Sequence, residues 1–184
     1  MKQRVFIAFE LNDNIKEYLW QLKDELSGYN TYLNWESIEK YHITLSFLGE
    51  VVTSQFELIQ NIINKISINN PPVVTSFEKF QIFDIKNKYG ILNVKLSLNR
   101  HFENLVKQLN HNLKNNGFEI KNGRFNPHIT ILRIKDEYQR YDFSSFLSYS
   151  FNEEPFELKN IVLYQSILSP KGSKYIPLYS KKLI

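Results

Sequence analysis

Cysteine is absent from the 184 residues, and histidine (four), glycine (six), proline (six), tryptophan (two) and methionine (one) are sparse. Without Cys there is no disulfide scaffold, thiolate-bound zinc, iron–sulfur cluster or thiol nucleophile, and nothing calls for an oxidising compartment. A cytoplasmic location is therefore expected. The glycines stand singly, so no Gly-rich phosphate loop can form, and neither a His-Glu-x-x-His metal motif nor a Gly-x-Ser-x-Gly elbow occurs. No apolar run approaches the roughly 18 residues of a membrane span, and the apolar stretch within Met1–Glu10 is too short for a signal-peptide core. A chain with no membrane partner is expected.

What is present is apolar and aromatic. Hydrophobic residues make up 42% and aromatics 15%, which excludes a disordered chain. With 23 basic against 19 acidic residues the net charge is +4, a mild bias toward polyanions and far from the density of a nucleic-acid-coating arm. At roughly 100–200 residues per domain, the chain is one domain or two tightly joined lobes.

Apolar residues run through Val5–Phe9 as a strand, and then Ile15, Leu19, Leu22 and Leu26 recur at helical spacing behind Asn12 as N-cap. After a loop over 28–34, Tyr41–Gly49 reads as a strand, and Thr53 caps a second helix carrying Phe56, Ile59, Ile63 and Ile66. Pro71-Pro72 breaks the chain. Strands are expected over Val73–Phe83 and Tyr89–Leu98, joined by a turn over Asp84–Lys88. A third helix begins near Arg100, with Phe102, Leu105, Leu109 and Leu113 on one face and Gly117 at C′. The segment Asn126–Arg133 is again strand-like, and Phe156–Leu168 and Tyr175–Leu183 flank a turn over Ser169–Gly172. The mixture lacks regular βα alternation, so the class is α+β with mostly antiparallel pairing.

Each half contains a helix, an irregular approach and a strand beginning His-Ile-Thr: His42-Ile43-Thr44 and His128-Ile129-Thr130. Alternation puts each His and its Thr on one face, about 7 Å apart along the strand, with the Ile on the other. One such tripeptide is ordinarily a structural pair. Two copies, holding half of the histidines, are not expected by chance. If the strands meet, the space between them holds two imidazoles and two hydroxyls. That set suits a phosphodiester: in-line displacement needs a base and an acid on opposite sides of phosphorus, and His alone serves both roles near neutrality. The hydroxyls of Thr44 and Thr130 would bind non-bridging oxygens. Arg133 could add a guanidinium, but strict alternation places it on the face opposite Thr130, so its participation requires a bulge or the strand's end there. His101 and His111, ten residues apart on the third helix, are assigned to solvent.

These residues resemble the two-histidine (2H) phosphoesterases, specifically the RNA 2′,3′-cyclic phosphodiesterases also called 2′-5′ RNA ligases. Arg4–Ala8 is similar to the family's opening strand, Trp35 to its approach segment, His42–Glu50 and Phe125–Arg133 to its two signatures, and Leu163–Ser166 with Gly172 and Tyr175 to its closing hairpin. The chain departs from the pattern at Asn12, where Pro is common, and at Leu132, where a small residue is common. The resemblance implies a single bilobal unit over 1–184, with pseudo-twofold-related antiparallel sheets flanked by helices and a site in the central cleft. It also implies metal- and cofactor-free hydrolysis of RNA 2′,3′-cyclic phosphate ends to 2′-phosphates, with 2′-5′ ligation as a reverse activity, by a monomer. His42 would be the proton donor, His128 the acceptor, and Thr44, Thr130 and Arg133 the phosphate ligands. A 2′-5′ oligoadenylate phosphodiesterase and a non-catalytic RNA-end-binding module are the alternatives.

Overall fold

The computed structural model describes residues 1–28, 33–85, 89–121, 123–135, 141–152, 154–169 and 172–184. The N-terminal half runs β1 (Lys2–Glu10), α1 (Asp13–Leu26), β2 (His42–Val52) and α2 (Phe56–Ile68). Then come β3 (Val73–Thr75), β4 (Phe77–Ile85), β5 (Tyr89–Leu96), α3 (Arg100–Asn115) and β6 (His128–Lys135). The chain closes with α4 (Ser144–Leu147), β7 (Phe156–Leu158), β8 (Asn160–Ser169) and β9 (Gly172–Lys182).

Two sheets carry the design. One has the order β2-β1-β8-β9 and the other β4-β5-β6, with every pairing antiparallel. Read from the His-Ile-Thr strand inward, β2-β1-β8 corresponds to β6-β5-β4, and in both halves a helix links the paired strands: α1 between β1 and β2, α3 between β5 and β6. The expected α+β, pseudo-twofold arrangement is thus present. Both His-Ile-Thr strands are outermost in their sheets, and β2 and β6 lie against each other. The small β3-β7 pair ties the middle of the chain to its last quarter.

Behind the sheets the helices bury the stripes their periodicity predicts. Phe102, Leu105, Leu109 and Leu113 of α3 are fully buried, as are Ile59 and Ile63 of α2 and the core-facing Ile7, Phe9, Ile43, Val94 and Ile129 of the strands. These residues belong to one contiguous cluster that crosses the pseudo-twofold. The ring of Phe9, from β1, meets that of Phe102, from α3, at 5.7 Å in an edge contact.

Several local expectations need correction. Asn12 precedes α1, but its side chain makes no capping bond, and its carbonyl accepts from Ile15 and Lys16 instead. Thr53 opens a 3₁₀ turn and the helix proper starts at Phe56, because the chain leaves β2 extended and tightens before it settles into α geometry. The strand expected over Val73–Phe83 divides at Ser76: β3 pairs with β7 and β4 with β5. Asn99 caps α3 through a 2.8 Å bond to the Phe102 amide, and Gly117 sits at C′ with φ +84°, where a side chain would be strained. His101 is half-buried and bonds the Pro71 carbonyl at 3.1 Å, so it anchors α3 to the diproline break, while His111 is exposed as expected. The loop over 28–34 and the turns at Asp84–Lys88 and Ser169–Gly172 fall partly outside the described residues. Among the described residues no helix is long and apolar enough to cross a membrane.

A core shared by both halves should unfold as one unit. Phe102→Ala should cost about 3–5 kcal/mol, the range for deleting a buried ring. Urea unfolding followed by circular dichroism and by tryptophan fluorescence should give coincident transitions; separated midpoints would show that the halves are independent.

Candidate active site

The register of each His-Ile-Thr strand contains an extra residue directly after the threonine. On β2, Thr44 pairs with Ala8 and Ser46 with Ile7, which leaves Leu45 unmatched. On β6, Thr130 pairs with Asn93 and Leu132 with Leu92, which leaves Ile131 unmatched. A bulge at the same place in both halves puts two consecutive side chains, Leu45-Ser46 and Ile131-Leu132, into the interior. The next residue therefore returns to the His-Thr face. In the second half that residue is Arg133, which satisfies the condition for its participation; in the first half it is Phe47, which is 46% exposed. Leu132 is large because it fills core space, and it is bridged to Trp35 from the other half.

Each imidazole is held in the same way. The Nδ1 of His42 lies 2.6 Å from the Lys40 carbonyl, and that of His128 lies 2.8 Å from the Asn126 carbonyl, two residues upstream in both cases. A carbonyl can only accept, so Nδ1 carries the proton and Nε2 is left for other chemistry. On His42, Nε2 is 3.1 Å from the Thr44 hydroxyl, which donates to it while the ring is neutral. On β6, the Thr130 hydroxyl lies 3.5 Å from Nη2 of Arg133.

The surroundings of the two rings differ. His42 is enclosed by Phe6 (centroids 5.0 Å apart), Tyr175 (5.2 Å, edge-on) and Tyr164 (6.3 Å). His128 has the edge of Phe83 at 5.1 Å. Tyr164 and Phe83 occupy equivalent places, each on the third strand from the cleft. Burial is the chief reason that the pKa of His42 is lowered to about 4; the Arg133 and His128 charges push it further down, against the Lys40 carbonyl and Glu36, which raise it. His128 is also lowered, chiefly by burial and then by Arg133, against the raising effect of the Asn126 carbonyl. Arg133 acts on both imidazoles and His128 on His42, so the two rings and the guanidinium lie within electrostatic reach of one another on strands that face each other. Both rings are neutral near pH 7, and an arriving anion would raise them.

A match to the LigT-like phosphoesterases covers residues 9–92 and, a second time, 94–175, one match for each half of the duplication. The chain belongs to that family. Two curated relatives are RNA 2′,3′-cyclic phosphodiesterases. That of Archaeoglobus fulgidus is 30% identical over 179 residues, covering 94% of this chain and 96% of its own. That of Methanocaldococcus jannaschii is 28% identical over 184 residues, with the same coverages. Among solved folds, apo LigT of E. coli superposes with a TM-score of 0.74 at 22% identity, covering 99% of this chain and 98% of its own. A protein of Thermus thermophilus gives 0.75 at 18% identity, covering 98% and 97%. The resemblance to the family and its α+β fold is thereby borne out.

The aromatic enclosure of His42 and the Phe83 contact cannot be singled out from the sequence, because they depend on strand order. Glu36 was also missed: its carboxylate accepts from Nε of Arg133 at 3.1 Å and pairs with Lys40 at 3.1 Å.

The depressed His42 pKa has a stability consequence. Between pH 6.5, where an unfolded His titrates, and about 4, the unfolded chain takes up a proton that the fold resists. This contribution is therefore full above pH 6.5 and is lost as pH falls toward 4. Thermal unfolding of His42→Gln over that range should show a flatter pH dependence than the parent; identical slopes would refute a half-buried His42 held neutral by the fold.

Proposed function

We propose that the cleft hydrolyses RNA ends bearing a 2′,3′-cyclic phosphate to 2′-phosphates without a metal or cofactor, in a cytoplasmic monomer spanning 1–184 as one bilobal unit. The observation that carries this reading is the repeated geometry: two imidazoles, each with Nδ1 bound to a carbonyl and hence Nε2 unprotonated in the neutral ring, and each followed by a threonine on the same face. The names of the Archaeoglobus and Methanocaldococcus relatives support the substrate class.

In the proposed reaction, His128 Nε2 takes a proton from water as its oxygen bonds to phosphorus. The bond from phosphorus to the 3′ oxygen breaks, and His42 Nε2 protonates that oxygen. Thr44 and Thr130 donate to the non-bridging oxygens, and Arg133 offsets their charge. If an RNA 5′-hydroxyl replaces the water, the same steps form a 2′-5′ linkage, the ligation direction. The substrate supplies part of the poise, since its negative charge raises the pKa of the imidazole that must hold the proton.

One observation favours exchanged roles. His42 is the more enclosed ring and is held neutral at working pH, the state in which a base must start. A cyclic substrate with sulfur at the 3′ bridging position separates the two assignments, because a thiolate leaves without protonation. It should rescue His42→Ala under the proposed roles and His128→Ala under the exchanged ones.

Alanine at either His42 or His128 should lower turnover of a 2′,3′-cyclic end by about 10²–10⁴, the usual worth of general acid–base catalysis, with the fold intact. Activity should persist in EDTA and leave a 2′-phosphate. Cleaved 2′-5′ linkages as the main product would point to an oligoadenylate phosphodiesterase, and binding without turnover to an end-binding module. Because both free imidazoles titrate below 6.5, kcat/KM should peak below pH 6.5 and fall as pH rises through neutrality. The kcat optimum should lie higher, since bound phosphate holds the proton in place. Coincident optima would contradict this electrostatic picture.

A further inference from the structure

We propose that Glu36 is the positioning residue for Arg133, so that the segment leading into one half's histidine aims the other half's phosphate-binding guanidinium. The inference rests on the phosphate-site reading above. Glu36 lies six residues before His42, in the N-terminal half, yet it is fixed to the opposite half. Its amide donates to the Ile131 carbonyl at 2.9 Å, at the bulge that brings Arg133 onto the cleft face. The preceding Trp35 is bridged to Leu132 and has its ring 5.7 Å from Phe146. The backbone at 35–36 is therefore part of the β6 edge.

From that anchor the carboxylate divides its oxygens between two cations. Oε1 accepts from Nε of Arg133 at 3.1 Å and Oε2 pairs with Lys40 at 3.1 Å. The Glu36 side chain is 16% exposed, whereas that of Arg133 is 50% exposed. The fixed partner is thus the carboxylate and the adjustable one the guanidinium. Engaging Nε turns one edge of the fork toward Glu36 and leaves the Nη edge, with Nη2 3.5 Å from the Thr130 hydroxyl, on the side where a phosphate oxygen would lie. A long side chain with this exposure would otherwise spread over several rotamers, and the entropy of ordering it would fall on substrate binding. In the first half the equivalent place is held by Phe47, which has no fork to aim.

The experiment is a double-mutant cycle with Glu36→Ala, Arg133→Ala and the pair, plus Glu36→Gln. It reads kcat/KM on a 2′,3′-cyclic RNA end and, separately, calorimetric affinity for adenosine 2′-monophosphate. Glu36→Ala should lower both by about tenfold, the worth of a charge-assisted hydrogen bond. At alkaline pH, where both imidazoles are neutral with or without the Glu36 charge, the affinity of the pair should be no worse than that of Arg133→Ala alone, because Glu36 then acts through Arg133. Gln, which still offers an acceptor to Nε, should restore most of the loss. Multiplying losses, or a Glu36→Ala protein equal to the parent, would overturn the proposal. A parent that binds the nucleotide but does not turn over the cyclic end would overturn the hydrolase reading and leave the affinity cycle to judge Glu36; a parent that does neither overturns both.

Discussion

The inserted residue after each threonine is the constraint on which the site depends. A regular strand at 42–48 or 128–134 would bury every second side chain and show the others to the cleft. By taking two adjacent side chains into the interior, Leu45-Ser46 and Ile131-Leu132 reset the alternation. The His and Thr before the bulge and the Phe or Arg after it then share one face. Both bulges lie on outermost strands, where local distortion costs the ladder least, and these two strands are the ones that meet.

Around that face the two halves use the same scaffold for different electrical environments. Aromatic rings from β1, β8 and β9 enclose His42, while among the described residues His128 has one ring contact, that of Phe83. Excluding water from an imidazole disfavours its charged form, so folding lowers the proton affinity of both groups. In the proposed reaction a phosphate between the rings would offset that loss, since an anion favours the protonated form. On their own the two histidines are neutral, and the positive charge of Arg133 is paired with Glu36.

Much of this was legible in the residues. The helical stripes of α1, α2 and α3, the two tripeptides and their shared chemistry could all be read from spacing and residue type. The family resemblance added how the halves meet. What spacing could not supply came from pairing between distant segments. A bulge is defined by the partner strand, so alternation alone turns Arg133 away until β5 fixes the register. The split of the strand at Ser76 depends on β7, some 80 residues later, and the enclosure of His42 on β8 and β9. His101 looked like a solvent residue on helical periodicity, yet the Pro71 carbonyl lies within its reach. Glu36 carries no pattern at all: a single carboxylate beside a tryptophan is ordinary until the arginine that it meets, 97 positions on, is known.

The exchange of Phe47 for Arg133 at matching places gives the cleft a polarity. Two imidazoles on identical strands would treat the two ends of a displacement alike, and a ligand could sit in either sense. With a cation on one side and an apolar ring on the other, the two orientations of an asymmetric phosphodiester differ in energy before any bond changes. A duplicated fold has in this way acquired a front and a back, and an asymmetric ligand placed between the strands would be sorted by orientation before any chemistry began.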